Sequence, residues 1–160
     1  MLDGIHRGES IVAAEAYREH AALLGRDEAR LMDQRVFRRL HTGRAMLEDG
    51  TYDRLVAERP ALQARTADEL DGALALWPAV RHVAPRLAPL EADADLFVRV
   101  NLRTLLNTMP ASQLDLPGVA LPMGAAEDGL PCGLLVSGPT GADERVLAAA
   151  LAIEALAAGA

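Results

Sequence analysis

The chain contains no lysine; all 16 of its basic residues are arginine. That removes every side-chain primary amine, and with it proton transfer through a neutral lysine. Arginine is no substitute, because a guanidinium with a pKa above about 12 takes up no proton at neutral pH. Serine is nearly as scarce, with only Ser10, Ser112 and Ser137. We place them at a helix cap, in a loop and in a buried strand, and none stands in a glycine-rich turn that would aim backbone N–H groups at an oxyanion. The single cysteine, Cys132, excludes an internal disulfide and a multi-cysteine zinc site. It reads as a small hydrophobe buried in a strand. The four histidines, His6, His20, His41 and His82, lie far apart and show no helical metal-pair spacing, so no metal site is expected. Aromatics make up 3% of the chain, too few to build a stacking platform for single strands, and the net charge of −7 opposes a phosphate backbone. Nucleic acid is therefore excluded as a direct partner. No run approaches the ~20 apolar residues that cross a bilayer, and residues 1–10 are too polar for a signal peptide, which implies a cytoplasmic protein with no membrane partner.

What is present is aliphatic and periodic. With 160 residues, 51% hydrophobic and 24% charged, the composition fits one domain over 1–160. The pattern along it reads as α/β, a helical part over 1–70 and a strand, hairpin and helix part over 71–160. Ser10 caps an expected helix carrying Ile11, Val12, Tyr17, Leu23 and Leu24, with Gly25 as a left-handed stop. A second helix is expected from Asp27, with Leu31, Met32, Val36 and Leu40 inward, fading near Gly43. Thr51 is placed to cap a third, marked by Leu55, Val56, Leu62 and Leu70 and kinked at Pro60. The run GALALW closed by Pro78 reads as a strand, and Pro85 and Pro89 make the next stretch an irregular crossover. Helical spacing returns at Leu96, Phe97, Val100 and Leu105 and is broken after Asn107. Residues 119–123 and 132–137 form an expected antiparallel hairpin around Asp128-Gly129. Thr140 and Asp143 have capping-box spacing, and Val146, Leu147, Leu151 and Ile153 make the last helix apolar over an arc wide enough to be covered on more than one side.

The most specific stretch is 116–138, LPGVALPMGAAEDGLPCGLLVSG, followed by a helix with Asp143, Leu147, Ala150 and Glu154. It resembles the closing segment of the amidase signature family, which reads roughly PAxSxPxG, then GLPxGxQxxG, then a terminal helix. Pro117, Leu121, Pro122 and Gly124 fit the first motif, with Gly118 and Ala120 in place of Ala and Ser. Gly129, Leu130, Pro131, Gly133, Leu134 and Gly138 fit the second, with Cys132, Leu135 and Ser137 departing from Val, Gln and Ile. Upstream, Tyr52, Leu55, Arg59 and Leu62 look like the family's Y-x-x-L…R-x-x-L stretch. Asp71, Leu74 and Pro78 are similar to its D-x-L-L-x-P-T, with Ala79 for Thr, and Ala84-Pro85 to its AP dipeptide.

This resemblance implies the C-terminal part of the family's α/β/α fold. It also implies an intact enzyme that hydrolyses a small-molecule carboxamide through a Ser-Ser-Lys set without a cofactor. The Gly/Ser-rich GGSSGG-like loop and the lysine of that machinery are absent, so no residue of this chain is assigned a catalytic role. Asn107, Thr108, Ser112, Gln113 and Asp115, with His82 in the crossover, gather hydrogen-bonding groups where the family contributes substrate-pocket wall. The same residues would otherwise serve only to cap turns, and His82 would be a solvated loop histidine. The Arg38-Arg39 pair reads as part of a solvated mixed-charge face. The function implied is that of the C-terminal segment of an amidase-signature hydrolase, inactive alone. Two alternatives are a non-catalytic module for homodimerisation or partner binding, and an enzyme completed by a separate chain carrying the catalytic half. An incomplete body would leave apolar surface exposed.

Overall fold

The structure is a computed structural model and describes residues 9–158; His6 lies outside the described residues. The chain forms two compact units, divided between Leu62 and Gln63.

The first unit is helical. Helix α1 (Ile11–Leu24) starts at Ser10, whose Oγ accepts from the Ala13 N–H at 3.4 Å, and it buries Ile11 and Ala14. Gly25 ends it at φ −85°, not in the left-handed region expected. The chain instead continues into a 3₁₀ turn, Asp27–Leu31, which delays the second helix and leaves Leu31 88% exposed. Helix α2 (Gln34–Glu48) therefore begins at Asp33, whose carboxylate accepts from the Arg35 N–H at 2.8 Å. It passes straight through Gly43, because that glycine is a contact point and not a stop. A Cβ there would lie 1.9 Å from the Ala13 carbonyl oxygen of α1. Helix α3 (Thr51–Leu70) continues through Pro60, and its start is held by Asp49, which accepts from the Thr51 N–H at 2.9 Å. Leu55 is buried, and the Tyr52 hydroxyl donates to Glu15 at 3.2 Å under the Arg18 guanidinium.

The second unit is built on three antiparallel strands in the order β1-β3-β2: β1 (Ala75–Pro78), β2 (Gly118–Ala125) and β3 (Pro131–Ser137). Strands β2 and β3 form the expected hairpin, with Gly129 at φ 77° supplying the left-handed turn residue. The register pairs Leu76 with Val136 and Val136 with Val119, so these three share one face. Helix α7 (Asp143–Ala158) covers that face over β2 and β3, where Leu121, Val136, Val146 and Ala150 form the buried core. Gly138 makes this approach feasible, since a Cβ there would stand 2.9 Å from both Leu74 and Val146.

Several expectations are corrected here. Thr140 does not box the start of α7, because its hydroxyl donates to the Leu114 carbonyl at 3.0 Å. Helix α7 is covered on one side only, leaving Leu147, Leu151 and Leu156 exposed at 54%, 67% and 76%. Cys132 is exposed, since the β2–β3 register is irregular between Pro122 and Ala125 and the sheet is shielded only further along β3. Within the crossover, residues 79–86 are irregular, but 87–92 close into a short helix, α4 (Leu87–Ala92). Helix α5 (Ala94–Leu105) follows from Asp93. The expected break after Asn107 then contains another short helix, α6 (Met109–Leu114), with Pro110 in its first turn where a missing N–H costs nothing. Ser112 is thus helical and not in a loop.

Candidate functional site

The region singled out for hydrogen-bonding capacity lies entirely within the second unit. Asn107, just past the end of α5, uses both ends of its amide. Nδ2 donates to the Pro78 carbonyl at 2.7 Å, and Oδ1 accepts from the Arg81 Nε at 2.7 Å. It therefore ties the end of β1 and the crossover to the end of α5. One residue on from Arg81, His82 is half-buried and spans the same junction. Its Nδ1 lies 2.8 Å from the Val83 carbonyl oxygen and its Nε2 2.9 Å from Thr104 Oγ1. Thr104 in turn donates to Val100 at 2.8 Å within α5.

The other four residues are placed differently. Thr108 turns its hydroxyl back to Leu105 at 3.3 Å. Gln113 is buried, whereas Ser112 and Asp115 are exposed, and Asp115 adopts the left-handed conformation (φ 57°) that ends α6. The structure therefore joins His82 and Asn107 at one fastening and spreads the rest along α6. Residues 114–117 are themselves bolted down. The Leu114 carbonyl accepts from Gln63 Nε2 at 2.9 Å as well as from Thr140, and the Pro117 carbonyl accepts from the Ser137 hydroxyl at 2.7 Å.

Sequence reading overlooked Arg81, Thr104 and Gln63, and gave Thr140 a different role. Nothing local marks them, for Arg81 and Asn107 are 26 residues apart and Gln63 and Leu114 are 51.

Chemically, Asn107, His82 and Thr108 direct their polar groups to partners within the chain, and no nucleophile is paired with a base among the described residues. Ser10 caps a helix, Ser137 gives its proton to a carbonyl, and exposed Ser112 has no basic partner among the described residues. Nor do three His, Cys, Asp or Glu side chains converge on a metal position among the described residues. No described helix is long and apolar enough to cross a membrane. Beside β2, a groove of about 300 Å³ is lined by Leu121, Pro122, Met123, Ile153, Glu154 and Ala157.

Comparison with known proteins decides the family. Residues 5–147 match the profile of the family described as Amidase. The chain belongs to the amidase family. Two glutamyl-tRNA(Gln) amidotransferase subunits A, from Streptococcus pyogenes serotype M12 (strain MGAS2096) and serotype M28 (strain MGAS6180), are each 34% identical to it over 126 residues. Those alignments cover 76% of this amidase-family chain and 25% of each relative. A crystal structure of an amidase superposes with a TM-score of 0.73 at 32% identity, covering 96% of this chain and 36% of that one. The chain thus spans about a quarter of the curated relatives it matches. Its fold is an α/β fragment of the amidase body.

Proposed function

We propose that this chain is the C-terminal segment of an amidase-signature hydrolase whose intact body cleaves the C–N bond of a small carboxamide in the cytoplasm, without a cofactor. One observation carries the reading: the chain belongs to the amidase family across most of its length, yet spans only about a quarter of its relatives and has no lysine. In this reading the hairpin and α7 supply the edge of the enzyme's sheet. The Asn107–Asp115 stretch, with His82 behind it, supplies part of the pocket wall through neutral hydrogen-bonding groups. The activating lysine and the Gly/Ser-rich loop belong to the remaining polypeptide. The purified chain is expected to release no ammonia from simple amides such as propionamide. Turnover by this chain with contaminants excluded would overthrow the proposal, since guanidinium cannot accept the proton that serine activation requires.

A second reading, a non-catalytic module that pairs with its own copy, is favoured by exposed Leu147, Leu151 and Met123 on and beside α7. Sedimentation at micromolar concentration separates the two. A discrete dimer supports the module, and heterogeneous aggregation supports an incomplete enzyme body.

A further inference from the structure

We infer that His82 is a proton-operated fastener between the crossover 79–86 and α5, complete only when the imidazole carries both of its protons. The inference rests on counting protons along one chain of contacts and does not depend on the proposed activity. Val83 O and Val100 O stand at its two ends, and a carbonyl oxygen only accepts. Between them lie the two ring nitrogens and one hydroxyl, at spacings of 2.8, 2.9 and 2.8 Å. For all three contacts to be hydrogen bonds, three protons are needed. A neutral ring and a hydroxyl bring two.

With Nδ1–H on Val83 O, the Thr104 hydroxyl must choose. It either turns to Nε2 and leaves Val100 O without it, or stays on Val100 O and meets Nε2 lone pair to lone pair. A second ring proton removes the conflict, because Nε2–H then donates to Thr104 Oγ1 while that hydroxyl donates to Val100 O. Both direct partners of the ring are uncharged. The charged side chains on the elements packed around it are Arg81 and Arg86 on the crossover, Glu91 on α4, and Asp95, Arg99 and Arg103 on α5. All six are exposed. Arg81 is engaged by Asn107, and Thr104 lies in the last turn of α5. The Arg81–Asn107–Pro78 link is unaffected by the ring and keeps the neutral form tethered rather than released.

The test uses the full chain and NMR between about pH 5 and pH 8, the range in which histidine changes charge. In the neutral form the ring proton is expected on Nδ1, with Nε2 gaining one as the pH falls. After correction for intrinsic exchange, amide exchange in 79–86 should then slow about three- to tenfold, the size of one net hydrogen bond. Thr104→Val should abolish this extra protection, and Thr104→Ser, which restores the hydroxyl, should keep it. A neutral ring protonated on Nε2 would overturn the inference. So would a pH-dependent protection of equal size in wild type and Thr104→Val, or one absent from both wild type and Thr104→Ser.

Discussion

Individual side chains start the helices here, and their removal has calculable effects. Asp93 accepts from the N–H groups of both Asp95 and Leu96 at 2.9 Å, satisfying two of the four donors that open α5. Asp93→Ala should lower stability by about 0.5–2 kcal/mol, while Asp93→Asn, which can still accept, should lose much less. Urea unfolding monitored by far-UV circular dichroism would measure both. Asp33 plays the same part for α2 with a charge partner added. The Arg35 side chain, and then its backbone N–H, hold the Asp33 carboxyl well below the usual carboxylate range. A depressed folded value means the contribution is present above the unfolded pKa of about 3.9 and fades as the pH falls through the folded one. Asp33→Asn should therefore flatten the acid limb of the stability curve and leave its shape near neutrality unchanged. A variant whose acid limb matched wild type would show that the pair contributes nothing. The exposed Arg44–Glu48 and Arg65–Glu69 pairs are screened by water and need not enter such an account.

At the scale of elements, glycine separates two kinds of contact that look alike in sequence. Gly43 and Gly25 both invite reading as helix ends, yet Gly43 lies inside α2, where the backbone of α1 occupies the space a Cβ would need. Gly43→Ala gains up to about 1 kcal/mol in helix propensity but must push two helices apart, and overpacking of this kind costs about 1–3 kcal/mol or more. Net destabilisation, seen as a lower urea midpoint at unchanged slope, is the expected outcome. Elements whose evidence is local were legible: the α1, α5 and α7 spacings, the hairpin with its Asp128-Gly129 turn, and the strand ended at Pro78. Two of the misplaced features depend on more than their sequence neighbours. Thr140 has the spacing of a cap, but a carbonyl 26 residues upstream takes its proton. Cys132 has the neighbours of a buried strand residue, but a disturbed register uncovers it. Of the candidate site, the pairing of His82 with Thr104 and of Asn107 with Arg81 was hidden for the same reason. Periodicity shows that a helix returns after the crossover, and not what its last turn touches.

For the molecule as a whole, apolar side chains left in water govern behaviour in solution. Leu147 and Leu151 are one turn apart on the uncovered side of α7, and Leu76 is 56% exposed because α7 covers its sheet face over β2 and β3 but not over β1. Replacing Leu147 and Leu151 together by Glu should reduce self-association at micromolar concentration, with little loss of stability because neither side chain contributes to the core. Sedimentation velocity on the wild type and the double variant checks this, and unchanged association would move attention to the strand edges.

The central strand of the sheet is also the last to be made. β1 hydrogen-bonds to β3, and β2 lies on its far side, so the edge that receives both arrives only with residues 131–137. During synthesis β1 must wait, unpaired, while the crossover, three helices and β2 leave the ribosome. A nascent chain halted before Pro131 therefore holds two orphan strands and no sheet, which makes the interval before β3 emerges the period of greatest exposure to proteases and chaperones.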